Sequence, residues 1–334
     1  MKTTIYDVAK KAGVSIATVS KVINETGRIG EKTRKKVHKV MEELDYQPSS
    51  VAAALTGKKT YTIGVLVPDI SNPFFAEVAR AFENSAQSAG YTLFLCSTDN
   101  QPERENEYVE LLLKKQVDGI VVATELNNFK LVNKIVSREL PLVLFSVDHP
   151  SVSTHVVTTD DVRGGYLAGN HLTSKGHRQI AIIMEQDRSS SKARLNGFTQ
   201  ALNEEKVLLE DSDVISCRSV IEDAKRAARE LLSGPKKPTA VFACTDLIAV
   251  AVMNEARKQG LAIPGDLSVI GFDNTIYAEM ADPGLTTIEQ PITQMAEYTF
   301  AQLLKTINGS ESIKQRVMLT PELIERGSVK NILE

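Results

Sequence analysis

Two kinds of periodicity run along this chain. From Tyr61 onward, short β-branched and apolar runs alternate with segments whose apolar residues recur every three to four positions. The runs are TIGVLVP, TLFLC, GIVVA, LVLFS, VVTT, IAIIM, TAVFAC and LSVIGF; helix-period stretches lie near 74–90, 103–116, 161–175, 191–206, 222–233, 246–259 and 293–307. Repeated alternation of this kind predicts parallel sheets with helices on both faces. There are too many strands for one comfortable sheet, so two similar lobes are expected.

The first 47 residues follow a different pattern. Thr4 can N-cap a helix running to about Ala12, with Asp7 three residues on as a variant of the capping box. Gly13 can adopt positive φ at the turn, and Ser15 can cap a second helix, about Ile16 to Asn24. A third helix, about Glu31 to Leu44, carries Val37, Val40, Met41 and Leu44 on one stripe. Val8, Ala9, Ala12, Val19 and Val22 can meet it in a miniature core. In YQPSSVAAALTGKKT, Pro48 ends what precedes it, Ser49 or Ser50 can cap a short helix, and Gly57 can terminate it. So short a helix is not autonomous in water. The expected organisation is therefore an all-α head of residues 1–47, a linker of 48–60 that orders when something binds it, and an α/β body of 61–334.

Charge sharpens this division. The 334 residues are 42% hydrophobic and 24% charged, with a formal net charge of −3. Residues 1–60 contain 12 Lys+Arg against 6 Asp+Glu, whereas the remainder has 27 against 36. A basic head on an acidic body reads as a nucleic-acid module joined to something else. Cys96, Cys217 and Cys244 are far apart and form no CxxC pair, so reduced core thiols are expected. No signal-type apolar region follows Met1 and no run approaches a membrane span, which predicts a cytoplasmic protein with no membrane partner.

Two short helices joined by Ala-Gly-Val-Ser fit helix-turn-helix geometry, whose second helix enters a DNA major groove. Its exposed N-terminal residues would be Ile16 and Ala17, with Lys21 one turn on. Hydroxyls and amides at Thr4, Ser15, Thr18, Ser20 and Asn24 suit phosphate oxygens. The plainer alternative is a capped helix pair with solvated lysines; the adjoining third helix and the charge asymmetry favour DNA. Leu55 either packs on the next domain or acts as a minor-groove wedge that kinks the duplex. In the body, Asp69 to Asn72, Thr124, Ser146, Thr245-Asp246 and Asp273-Asn274 all follow predicted strands, where α/β sheets bind ligands. A single such aspartate is more often a helix cap, and Asp246 is placed to be one. The chain has no GxGxxG after a strand, no HExxH and no GxSxG, and ALTGKK lacks the leading glycine of a phosphate-binding loop. Nothing points to an enzyme, a cofactor or a metal.

Taken in order, TIYDVAKKAGVSIATVSKVIN, DYQPSSVAAALTGKKT, GVLVPDISNPFF, ARLNGF, ACTDLIAV, SVIGFDN and LTTIEQP resemble the LacI/GalR family of bacterial transcription regulators over nearly the whole chain. The resemblance implies a small all-α helix-turn-helix head plus an α/β two-lobed periplasmic-binding-protein-like domain. The chain would cross between lobes near Thr159–Asp161 and again near Thr286–Gln290. Two protomers would pair on a near-palindromic operator, as a dimer rather than a tetramer because no leucine-heptad tail is present. Ile16, Ala17 and Lys21 would read bases and Leu55 would be the hinge wedge. Phe74, Phe75, Arg194, Asp246 and Asp273 would hold the effector, a sugar or sugar acid.

Several positions depart from the family pattern. Lys21 stands where arginine is usual and cannot grip guanine with a planar fork. Ser49 replaces an asparagine, Ser146 a frequent aspartate, and Cys217-Arg218-Ser219 lacks a frequent aromatic. The missing ring and added Arg218 cation would favour an acidic effector, unless Arg218 faces solvent. Function would then be linkage between cleft and operator, coupled by about 1–3 kcal/mol. Gating by a phosphorylated protein is a second reading, and a sugar-modifying enzyme a disfavoured third.

Overall fold

The computed structural model describes residues 3–23, 26–46, 59–125, 129–149, 151–310 and 313–333. The chain forms two compact units, residues 1–60 and 61–334.

In the first unit, α1 (Ile5–Ala12), α2 (Ile16–Ile23) and α3 (Glu31–Glu43) follow their capping signals. The Asp7 carboxylate accepts from the Thr4 N–H at 2.9 Å and from its hydroxyl at 2.7 Å. These bonds hold the Asp7 pKa below the usual carboxylate range. Gly13 ends α1 at φ 64°, a left-handed conformation that costs glycine little. Ser15 Oγ then accepts from the Thr18 N–H at 3.1 Å and opens α2. Val8, Ala12, Val19, Val22 and Val37 are fully buried together. The three helices thus share one core, and their polar faces stay outside.

The second unit contains two sheets. The first is built from β1 (Thr62–Val67), β2 (Thr92–Ser97), β3 (Gly119–Val122), β4 (Leu142–Phe145), β5 (His155–Thr159) and β11 (Arg316–Leu319). Its order is β11-β5-β4-β3-β1-β2, all parallel. The second contains β6 (Ile180–Glu185), β7 (Val214–Cys217), β8 (Ala240–Ala243), β9 (Ser268–Asp273), β10 (Thr286–Glu289) and β12 (Glu322–Ile324). Its order is β12-β10-β9-β8-β6-β7, with β12 antiparallel to β10. Each lobe therefore repeats the same strand order and the same switch point, β1/β3 in one and β6/β8 in the other.

Helices cover both faces of each sheet. In the first lobe, α4 (Pro73–Ser88) and α12 (Ile292–Ile307) pack Phe74, Val78, Phe82, Met295 and Phe300 on Ile63, Val65 and Val121. On the opposite face, α5 (Pro102–Lys115) and α6 (Phe129–Ser137) pack on Leu66, Ile120 and Val122. The central strands are buried on both sides, which is why they read as unbroken apolar runs. In the second lobe, α7 (Asp161–Ser174) and α8 (Ser189–Glu204) cover one face, and α9 (Ile221–Ser233) and α10 (Asp246–Lys258) the other. A short α11 (Ile276–Met280) follows β9.

The α7–α8 crossing depends on two glycines. A Cβ on Gly197 would lie 1.7 Å from the Val162 carbonyl oxygen, and one on Gly165 would lie 1.9 Å from that of Arg194. No larger residue fits without parting the helices. The chain passes between lobes three times: from β5 to α7, from β10 to α12, and from β11 to β12. The third passage adds to the two expected from the sequence. Six elements also lay outside the sequence expectation: α6, β7, α11, β10, β11 and β12.

Candidate interlobe site and reading helix

The carboxyl ends of the two sheets face one cavity of about 370 Å³. Turns after β1, β3 and β4 bring Asp69, Thr124 and Ser146 to it from the first lobe. Turns after β6 and β8 bring Arg188 and Thr245 from the second, and the end of β9 brings Asp273. Two of these positions hold strained backbone: Ser146 sits at φ 57° and Asp273 at φ 114°. Such conformations cost free energy and collect at functional sites.

Arg194 projects from α8 into this cavity, only 4% exposed. Its Nε donates to Asp161 Oδ1 at 2.8 Å and its Nη1 to the Cys244 carbonyl at 2.5 Å. Asp273 Oδ1 lies 3.8 Å away, and the guanidinium stands 3.5 Å above the Phe272 ring. Burial opposes the Arg194 charge, but Asp161 and Asp273 outweigh it and raise its pKa. Burial also pushes both carboxyls up, against the pull of Arg194. Gln290 Nε2 donates to Asp273 Oδ1 at 2.8 Å, and Thr159 Oγ donates to Gln290 Oε1 at 2.6 Å. The cleft is thereby tied to the residues at two interlobe passages.

Phe74 is buried and Phe75 half-buried at the N-terminus of α4, their rings edge to face at 5.0 Å. Asn72 caps that helix by accepting from the Phe74 N–H at 3.1 Å. The pair offers an apolar wall, which suits the face of a ring. Thr124 is 1% exposed, and its hydroxyl has no hydrogen-bond partner among the described residues. A buried polar group left so costs about 1–3 kcal/mol, which a ligand atom can recover.

One expectation is corrected. Asp246 does not line the cavity. Its carboxylate accepts from the Thr275 N–H at 2.6 Å and from the Thr287 hydroxyl at 2.6 Å, joining α10 to the turn after β9 and to β10. The α10 cap is Thr245, whose Oγ accepts from Ile248. For Arg218 the solvent-facing alternative holds: it is 66% exposed and pairs with Asp223, so it gives no reason to favour an acidic ligand.

Sequence reading missed seven polar groups in the wall: Asp99, Asn100, Glu125, Glu185, Arg188, Ser190 and Gln290. Glu125 of the first lobe accepts from the Ser189 N–H at 2.8 Å and its hydroxyl at 2.6 Å, capping α8 of the second. Arg188 Nη2 donates to Asn100 Oδ1 at 2.6 Å and lies 3.9 Å from Glu125. These bonds span the cleft mouth. The polar run EQDRSSS directly after the apolar run IAIIM was the available signal. Among the described lining residues, five carboxylates (Asp69, Asp99, Glu125, Glu185, Asp273) face two guanidinium groups (Arg188, Arg194).

In the head, Ile16, Ala17 and Lys21 are exposed along one side of α2. Ser15 Oγ lies 2.9 Å from Thr18 Oγ, and Ser20 is half-buried. Thr4 is committed to Asp7. Asn24 and Leu55 lie outside the described residues.

A helix-turn-helix head on a two-lobed body with a polar interlobe cleft defines a ligand-responsive DNA-binding regulator. Residues 4–49 match the model for bacterial regulatory proteins of the lacI family, and residues 170–329 match the periplasmic binding protein-like domain. The chain is 46% identical over 332 residues to the HTH-type transcriptional regulator DegA of Bacillus subtilis, covering 98% of both. Among solved structures, the lac repressor dimer bound to operator and the anti-inducer ONPF aligns with a TM-score of 0.87 at 26% identity, covering 99% of this chain and 100% of that one. A complex of the regulator CelR with cellobiose aligns at 0.75 and 27% identity, covering 98% and 100%. The chain belongs to the LacI family of DNA-binding transcriptional regulators and is not an enzyme.

Proposed function

We propose that a neutral polyhydroxylated small molecule, a sugar, binds between the lobes and sets operator affinity. The observation that carries this reading is the composition of the cleft wall. An aromatic pair offers a face for the ring, hydroxyl and amide groups surround its rim, and carboxylates outnumber cations. A surplus of carboxylates repels an acid. With Arg218 on Asp223, the reason to favour a sugar acid is gone. The cellobiose bound by CelR supports the choice of a sugar.

The rest of the mechanism follows from linkage. Two copies bind a near-palindromic operator in the cytoplasm; that the similar lac repressor is a dimer bound to operator supports the pairing. Ile16, Ala17 and Lys21 read bases, Ser15, Thr18, Ser20 and Asn24 contact phosphates, Thr4 joins them by exchanging its hydroxyl bond to Asp7 for one to a phosphate, and Leu55 wedges the minor groove. Ligand shifts operator affinity only by its difference in affinity for the two lobe arrangements. Gating by a phosphorylated protein has less support. The groove between α4 and α12 presents Glu77 and Glu297 with Arg80, which pairs with Glu83 at 3.1 Å. A phosphoryl group needs a cluster of guanidinium or ammonium groups.

Fluorescence anisotropy of the full-length protein on promoter DNA, titrated with neutral monosaccharides and matched uronic acids, tests the reading. Neutral sugars should shift the operator isotherm. A response to uronates alone would overturn it.

A further inference from the structure

A second cavity, of about 420 Å³, adjoins the cleft. The two share Thr124, Glu125 and Val147. Its inner wall is aliphatic: Val122 and Leu144 come from β3 and β4, Val132 from α6, and Val152 from the loop before β5; all four are buried. Asp187 and Lys192 lie at its rim, and other charged or titratable groups there are engaged elsewhere. Asp148 binds Arg316 at 3.0 Å, and His149 Nδ1 lies 2.7 Å from the Ser151 hydroxyl. A bare monosaccharide carries hydroxyls all round its rim and gains nothing from four aliphatic side chains. Thr124 is the buried residue common to both chambers, and its hydroxyl is without a partner among the described residues.

We propose that the effector has two parts: a hydroxylated ring in the cleft, and an apolar alkyl or aryl substituent on that ring in the second cavity. Thr124 meets the polar atom that joins them. The effector class is then a glycoside, a conclusion that rests on the neutral-sugar reading and narrows it.

Calorimetric titration of the full-length protein with methyl glycosides and the matched phenyl glycosides of common neutral sugars tests this. The phenyl member should bind about tenfold more tightly or better. Val152→Phe fills the cavity and should erase that advantage while leaving the methyl glycoside unchanged. Leu144→Phe fills it from the opposite wall and serves if the first variant does not fold. Equal affinity for methyl and phenyl members would overturn the two-part effector and leave the sugar reading standing. Binding of neither would sink both. A phenyl advantage that survives both filled variants would place the substituent elsewhere and refute the assignment of this cavity.

Discussion

The bond set spanning the cleft mouth makes a quantitative prediction. Glu125→Ala removes two hydrogen bonds from Ser189 at the N-terminus of α8 and the ion pair with Arg188, all between lobes. Loss of a capping side chain costs about 1 kcal/mol. Arg188 and Glu125 are 19% and 26% exposed, so their ion pair adds about 0–1 kcal/mol after screening. The bridged arrangement should therefore weaken by about 1–2 kcal/mol, or about 5–30-fold in the equilibrium between bridged and parted lobes. Paired fluorophores, one on each lobe, report that equilibrium directly without needing the effector. The affinity of whichever neutral glycoside binds the wild type best should fall by a similar factor. Arg188→Ala removes its bond to Asn100 and the same ion pair, so it should show an effect of similar size, and the double variant should fall short of the sum by the pair they share. Energy transfer and affinity within twofold of wild type would show that Glu125 contributes nothing to closure.

Other consequences are as specific. Gly197→Ala should lower stability by about 3 kcal/mol or more, seen as a drop of about 6–12 °C in calorimetric Tm, since a Cβ there meets the Val162 carbonyl oxygen at 1.7 Å. Arg194→Ala leaves Asp161 and Asp273 buried without their cation; it should cost about 3–5 kcal/mol by denaturant titration and abolish the effector response, and Arg194→Lys should not restore that response. Lys21→Ala should weaken the cognate operator by about 1–3 kcal/mol in mobility-shift titrations and nonspecific DNA by less. Burial pushes the Asp246 carboxyl up to about 6, against the hydrogen bonds from Thr287 and Thr275. Its folded pKa thus exceeds its unfolded one, near 3.9. The unfolded chain ionises first, so this group's contribution falls as pH rises from about 4 to about 6. Asp246→Asn should remove that decline from the stability profile.

The head and the central strands were legible because their signals are local. Thr4, Gly13 and Ser15 carry their own capping chemistry, and β1, β3 and β4 are apolar on both faces. Three of the four missed strands, β7, β11 and β12, lie at sheet edges, where pairing rather than composition creates them; the fourth, β10, is four residues, three of them threonine or glutamate. Arg316–Leu319 alternates exposed and half-buried positions, and Glu322–Ile324 spans three residues. Sheet ends gave the cleft correctly through Asp69, Thr124, Ser146 and Asp273. Asp246 failed because a one-residue step past Thr245 turns a side chain from the cavity to Thr275 and Thr287. Periodicity does not encode that choice. The role of Glu125 was beyond reach because its partners lie 64 positions away, on the other lobe.

Three passages between the lobes mean that neither is a continuous piece of polypeptide. When about 160 residues have left the ribosome, strands β1 to β5 are made, but one side of their sheet has only α4 to cover it, because Met295, Phe300 and Leu303 are not yet made. Newborn chains are therefore sticky until translation nears its end, and a chaperone would have its longest work there. Exchange of one lobe between relatives needs cuts at all three passages, and a single proteolytic nick leaves both halves joined by the other two.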